Sequence, residues 1–227
     1  MSTTRSGGVS RGQYASLNLG DHVGDVSEAV SENRRRLREA LCLPQEPRWL
    51  KQVHGARVAQ LDGVAVAEEC DSAVTRRAGE VCVIMTADCL PVLICDQGGT
   101  VVAAAHAGWR GMAAGVLEAT VAAMRTSAED ILAWLGPVIG PEVYEVGDEV
   151  MQRFVDQDAR AAAAFRRKPN GRWLCDLYAL ARMRLQVLGV TQIYGSGFCT
   201  FTDKHRFFSY RRDGECGRMG TFIWLSS

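Results

Sequence analysis

The sequence predicts an α/β (α+β) fold, with mixed β-sheets flanked by helices in one domain spanning residues 1–227. Three observations carry that expectation. The first is Val101–Ala105, five apolar residues that end in His106. They meet the turn Gly108-Trp109-Arg110-Gly111 and pass into a helical pattern reaching about Arg125. That is a buried strand, a tight turn and a helix N-terminus. The second is Val81–Thr86, a run of apolar and β-branched residues that reads as another buried strand. The third is a hairpin signal. Pro91–Cys95 and Thr100–Ala105 flank Asp96-Gln97-Gly98-Gly99.

Composition agrees with this class. The chain has 227 residues, 47% hydrophobic and 23% charged, with ample material for a core. Lys+Arg number 26 and Asp+Glu number 26, so the net charge is zero. That balance argues against an electrostatic nucleic-acid binder and against a funnel for acidic substrates. No apolar run approaches the ~18 residues of a membrane span. The start, MSTTRSGGVSRGQ, lacks the apolar core of a signal peptide. The expected location is cytoplasmic, the expected partners are small molecules, and a monomer is the default. Eight cysteines are scattered without a CxxC pair, which reads as reduced thiols, with Cys82 and Cys95 in the core.

The elements follow in order. Residues 1–24 read as loops and short strands. Asp25-Val26-Ser27-Glu28 has capping-box spacing, with Asp25 as cap to a helix from Val26 to about Leu41. Val30, Leu37 and Leu41 face inward, and the charged run Asn33–Arg38 is the solvated face. Trp49–Gly55 reads as a strand reaching a glycine turn, with further strands at Arg57–Leu61 and Asp71–Thr75. Beyond the hairpin, one helix is expected from Met112 to Arg125, then a strand entering Ile131–Ile139 and a helix over Val146–Val155. Ala159–Arg172, alanine-rich and then polar with Pro169-Asn170-Gly171, is expected to be an exposed excursion. Asp176 caps a helix, Leu177–Leu188, which Gly189 closes. Strands at Val190–Tyr194 and Thr221–Leu225 complete the chain.

If the two hairpin strands pair, Cys89 at the start of one and His106 at the end of the other share a sheet edge. His54 also stands at a strand exit beside a turn. Two imidazoles and a thiol fill three of zinc's four tetrahedral positions and leave one open, as catalytic zinc requires. The same residues also suit a thiol nucleophile, with Cys89 attacking and His106 as base. A buried cysteine with two satisfied histidines is the bland alternative, and spacing alone leaves all three open. Arg110 at a helix N-terminus invites an anion, or else simply covers Trp109. Arg211 and Arg212 pose the same question, and on a strand only one of them would face a shared site. Phe207, Phe208 and Tyr210 suit core and sheet better than a base-stacking surface.

Several segments together resemble a known family. They are Gln52-Val53-His54-Gly55, Thr86-Ala87-Asp88-Cys89-Leu90-Pro91 and His106-Ala107-Gly108-Trp109-Arg110-Gly111. Gly136-Pro137-Val138-Ile139 and Phe207–Gly214 follow, with Arg5–Ser10 and Asn18–Gly20 near the start. In this order, over essentially the whole chain, they resemble the YfiH family, also called the laccase-domain, multicopper polyphenol oxidase or peptidoglycan-editing-factor family. The resemblance implies a single α/β catalytic domain similar in layout to cysteine-hydrolase toxin domains of the cytotoxic-necrotizing-factor type. It implies that His54, Cys89 and His106 are zinc ligands. It also implies purine nucleoside phosphorolysis, with adenosine deamination and methylthioadenosine cleavage as side activities. One departure is Cys216 in Glu215-Cys216-Gly217-Arg218, where the family pattern has Thr; a ligand-touching loop there would alter substrate preference.

On this reading Zn²⁺ polarises a water, phosphate or substrate oxygen, while Cys89 and His106 take part in catalysis. Arg110, with Arg211 or Arg212, holds phosphate. Asp88 is a base, or a partner to a ligand histidine. Three rivals come from other classes. One is an amidase that edits a peptidoglycan precursor, using zinc-water or Cys89. Another is a copper-dependent polyphenol oxidase; copper outcompetes zinc at such ligands, so copper in vitro would be adventitious. The last is a binding module with a structural metal, which an open coordination position argues against.

Overall fold

The computed structural model describes residues 1–62 and 69–226. Its centre is the expected hairpin, β4 (Leu90–Asp96) against β5 (Val102–Ala107), with Leu90 opposite Ala107 and Cys95 opposite Val102. Asp96 closes the turn. Its Oδ1 accepts from the N–H groups of Thr100 (2.7 Å) and Val101 (2.9 Å), and its Oδ2 from the Thr100 hydroxyl (2.6 Å). Around this pair lie β1 (Val58–Gln60), β2 (Ser72–Thr75), β6 (Ile131–Leu135) and β10 (Gln192–Tyr194). The six strands run in the order β1-β2-β5-β4-β6-β10. β1 is parallel to β2 and β10 to β6, while the other pairs are antiparallel, so the sheet is mixed.

Alternation of side chains along these strands builds the layers. Val92, Ile94, Ala103 and Ala105 face one core, which they share with α3 (Val116–Met124), α4 (Asp148–Val155) and α5 (Leu177–Val187). Leu93, Ala104 and Ala73 face the other way, onto Cys82 and Ile84 of β3 (Val81–Thr86). β3 pairs antiparallel with β11 (Met219–Trp224) as a separate two-stranded ribbon. The opposite face of that ribbon, Val81, Val83 and Phe222, packs on Leu37 of α1 (Ser27–Ala40). Helices, six-stranded sheet, ribbon and helix therefore stack in sequence. Every residue of β3 and β5 is buried, which explains why both read as unbroken apolar runs.

Most of the expected helices and strands are present, with local differences. Residues 1–24 hold a 3₁₀ turn over Gly12–Tyr14 and a bridge from Ser2 to Thr221 but no strand, and Cys95 is half-buried rather than core. Asp25 is not the cap of α1; its Oδ2 accepts from Ser10 and Asn18, and Val26 stands at the cap position. Asn33 is buried rather than solvated, and its side chain ties residues 9–18 to α1. Trp49–Gly55 is not a strand; it has one isolated bridge, Lys51 to Glu69, and the residue before it, Arg48, bridges to Cys82 of β3. Gln52 substitutes for strand pairing: its side-chain amide donates to Met85 O and accepts from Met85 N, both at 2.8 Å. The helix after His106 is divided into α2 (Trp109–Ala113) and α3 because Gly115 takes φ 92°, a left-handed conformation outside the helical range. Ala159–Arg172 is only partly an excursion. It forms a 3₁₀ turn over Ala159–Ala164 and then β8 (Phe165–Arg167), with Ala161, Ala164 and Phe165 buried. With β7 (Glu145–Val146) and β9 (Trp173–Cys175), β8 makes a small sheet ordered β7-β9-β8. Small alanine side chains allow that close approach. Among the described residues, no helix is long and apolar enough to cross a membrane.

Candidate active site

The hairpin places two of the predicted residues as its pairing requires. Cys89 directly precedes β4, and His106, near the end of β5, lies opposite Pro91. His54 arrives from the irregular segment anchored by Gln52. The donor atoms of His54, Cys89 and His106 lie within 4.8 Å of one another. Cys89 Sγ is 3.8 Å from His54 Nε2, and the two imidazoles meet edge to face with centroids 4.7 Å apart. The cluster runs from the buried His106 to the exposed His54. Gly108 permits this approach, since a Cβ there would lie 2.7 Å from Cys89 Sγ and 3.3 Å from His54 Cδ2.

One carboxylate organises both histidines. Asp71 is fully buried, immediately before β2. Its Oδ1 receives His106 Nδ1 at 2.8 Å and the His54 N–H at 2.8 Å. Its Oδ2 receives the N–H groups of Val53 (3.1 Å) and Gly55 (2.7 Å). Residues 53–55 thus wrap an anion with successive N–H groups, and His54 takes φ 61° to do so. An ionised carboxylate only accepts, so His106 Nδ1 carries the proton and Nε2 is left with its lone pair free. Burial works to raise the Asp71 carboxyl, but His106 and the backbone N–H groups outweigh it and hold it below its ordinary range. Burial likewise works against the Cys89 thiolate. His106 and His54 outweigh it and bring the thiol down to about 6.

The cluster forms part of the wall of a cavity of about 550 Å³, within the size range of small-molecule sites. Asp88, Trp109, Arg110, Tyr144, Tyr210, Arg211 and Arg218 also line it. Arg110 stacks on Trp109, 4.5 Å from the ring centroid, so it lines the cavity and covers the indole at once. Arg211 lines the cavity with its guanidinium 5.0 Å from the centre of the Tyr144 ring, and its Nη1 donates to Glu145 O.

Arg212 does not join them. The segment forms a helical turn, α6 (Tyr210–Asp213), rather than a strand, because the Ser209 hydroxyl accepts the Arg212 N–H and starts the turn. Arg212 instead donates to the carbonyls of Thr200, Phe201 and Phe207 and pairs with Asp213. Phe207 and Phe208 are core, as expected, whereas Tyr210 is 58% exposed and lines the cavity. Asp88 lines the cavity too, but both oxygens are engaged. Oδ1 accepts from Thr200 Oγ1 and Oδ2 from the Arg211 N–H, each at 2.6 Å. With φ 96°, Asp88 fixes the sharp turn that delivers Cys89. The carboxylate hydrogen-bonded to one of the candidate histidines, His106, is Asp71 rather than Asp88. Its signal in the sequence was an acid at the start of a short strand, but nothing showed that this strand would pair with the one carrying His106.

A metal-grade donor set, oriented by a buried carboxylate and open to a cavity bearing arginines, defines an enzyme that acts on a small molecule. The chain belongs to the multi-copper polyphenol oxidoreductase laccase family, whose model matches residues 1–226. It is 54% identical over 225 residues to purine nucleoside phosphorylase YfiH of Escherichia coli K12, covering 99% of this chain and 92% of that protein. Purine nucleoside phosphorylase PA4543 of Pseudomonas aeruginosa is also 54% identical, covering 98% of this chain and 91% of that protein. The crystal structure of Neisseria meningitidis protein NMB0706 superposes with a TM-score of 0.94 at 47% identity, covering 100% of this chain and 93% of that one.

Proposed function

We propose that the protein is a zinc-dependent purine nucleoside phosphorylase, splitting adenosine or inosine with phosphate into base and ribose 1-phosphate. The observation that carries this reading is one cavity in which His54, Cys89 and His106 stand with Arg110 and Arg211. Neither arginine forms an ion pair among the described residues, so both are available to a phosphate. The names of the relatives in Escherichia coli and Pseudomonas aeruginosa support it.

The donor set fits zinc. Ligand atoms on a tetrahedral zinc stand roughly 3.3–3.8 Å apart, given bonds of about 2.0–2.3 Å. Cys89 Sγ and His54 Nε2 are already 3.8 Å apart, and Asp71 leaves His106 Nε2 free to be the third donor. When bound, zinc would hold Cys89 as thiolate and supply Lewis acidity toward a substrate oxygen. Arg211 and Arg110 orient the phosphate and neutralise its charge. Tyr210, exposed on the cavity wall, offers an aromatic face to the purine. Asp71 holds the imidazole of His106 and the backbone of His54 in place. Deamination at the same site needs a carboxylate acid/base that is not a ligand. Asp88 already accepts from Thr200 Oγ1 and the Arg211 N–H, which ties its carboxylate to structure and makes deamination secondary to phosphorolysis; methylthioadenosine cleavage is itself a phosphorolysis and needs no such group.

The experiment is purification without added metal, elemental analysis for zinc and copper, and assay of adenosine with and without phosphate, beside Cys89→Ala. Near-stoichiometric zinc and phosphate-dependent release of adenine, both lost in the variant, uphold the reading. Zinc without activity on adenosine transfers the site to another substrate.

A second reading has its own support. Asp71, His106 and Cys89 fall in the order carboxylate, imidazole, thiol, which suits a thiolate nucleophile in an amidase acting on a UDP-sugar–amino acid. That activity would be independent of phosphate. For a polyphenol oxidase, the described residues offer one cluster of three donors, fewer than several coppers need.

A further inference from the structure

The catalytic cavity adjoins a second hollow of about 350 Å³, and His22, Tyr210 and Arg218 line both. The charge around them exceeds what phosphorolysis requires. A nucleoside is neutral, and one phosphate is satisfied by Arg110 and Arg211. Arg218 is a third arginine on the same wall, and it forms no ion pair among the described residues.

Arg218 is also fixed in place. Its backbone N–H donates to Asn18 Oδ1 (2.9 Å), and its Nη1 donates to the carbonyls of Cys216 (2.8 Å) and Gly217 (3.2 Å). The guanidinium stands 5.9 Å from the Tyr210 ring centroid. Nε and Nη2 have no acceptor among the described residues, which leaves the two-pronged edge that binds phosphate oxygens. His22, exposed beside it, has its Nδ1 against Asp21 Oδ1 at 3.4 Å and leaves Nε2 as the donor it can offer. The carboxylate lining the second hollow, Glu215, is exposed and bonded by Gln13 Nε2. Cys216, the departure from the family pattern, lines this hollow as well.

We propose that Arg218 and His22 form a second anion subsite and that the ligand spanning both spaces is a purine nucleoside 5′-monophosphate. Its base and ribose occupy the catalytic cavity and its phosphate the adjoining hollow. The purine part of this assignment rests on the phosphorylase reading. The subsite itself rests on the surplus arginine and the volume beside it.

Calorimetric titration of the zinc-loaded protein with AMP, adenosine and inorganic phosphate, each alone, tests it. AMP is expected to bind at least about tenfold more tightly than adenosine, with an affinity that falls as salt rises. Arg218→Gln should remove about tenfold of that preference, and Arg218→Lys should restore part of it. Equal affinity for AMP and adenosine in the wild type overturns the proposal without need of a variant. So does an Arg218→Gln loss for inorganic phosphate as large as the loss for AMP, because Arg218 would then serve the attacking phosphate. Assay of adenine release from adenosine and phosphate separates the two readings. Tight AMP binding without release removes the phosphorylase and leaves the subsite. Release without AMP preference does the reverse.

Discussion

Asp71 shows how much one buried side chain can govern. It takes four N–H donors, one on an imidazole and three on consecutive backbone groups, and so sets the positions of two of the three candidate ligands. Asp71→Asn keeps the shape but removes the charge that fixes the His106 tautomer. Zinc affinity, measured by competition with a chelator, should fall about 10–100-fold. The neighbouring arginines differ in what they face: Arg211 lines the cavity and Arg212 does not. Arg211→Ala should raise the KM for phosphate about tenfold or more in the phosphorolysis assay, with little change in the unfolding midpoint. Arg212→Ala should instead lower stability in urea by about 1–3 kcal/mol, because carbonyls of three residues lose a charged donor. No residue property distinguishes these adjacent arginines. The helical turn begun by Ser209 turns one toward the cavity and ties the other to the protein.

At the scale of elements, the β4–β5 hairpin is what converts sequence distance into a site. Cys89 and His106 are far apart along the chain, and antiparallel pairing alone brings them to one edge. Its turn depends on Asp96, whose three hydrogen bonds hold residues 96–101. Burial works to raise the Asp96 carboxyl, but Thr100 and Val101 outweigh it and hold it below its ordinary range. A depressed native pKa contributes stability above the unfolded value of about 4 and loses it as pH falls through the native value. Asp96→Ala should therefore cost about 1–3 kcal/mol in urea unfolding at pH 7 and progressively less at lower pH. Gly108→Ala acts on the other end of the hairpin. A Cβ 2.7 Å from Cys89 Sγ must displace that thiol, so the purified variant should fold yet carry far less zinc by elemental analysis.

In the whole molecule, the ribbon of β3 and β11 is the layer that joins the two ends of the chain. Met1 and Thr3 bond to the backbone of Phe222 and Gly220, so the N-terminal segment extends the ribbon's edge. Phe222 is fully buried between the ribbon and α1, edge to face with Trp49 at 6.0 Å. Phe222→Ala should lower unfolding free energy by about 3–5 kcal/mol, read as a shifted denaturant midpoint with unchanged slope. The loss belongs to this scale because the cavity would open between elements from opposite ends of the sequence.

Local pattern was enough to read the strands at Val81–Thr86, the hairpin and its turn, the helix capped by Asp176, and the grouping of Cys89 with His106. Each is written in neighbours: an apolar run, a turn composition, a cap, a pairing that closes within one hairpin. The segments around His54, Cys89 and His106 also pointed to the family. What lay beyond local reading were the contacts that join distant segments. Asp71 beside His106 depends on β2 choosing β5, Gln52 beside Met85 on a side chain replacing a strand, and Asp88 on Thr200 and Arg211 closing over it. Such contacts have no period or cap to announce them. They exist because stacked layers bury polar groups that must find partners, and which partners are within reach is decided only when the layers pack.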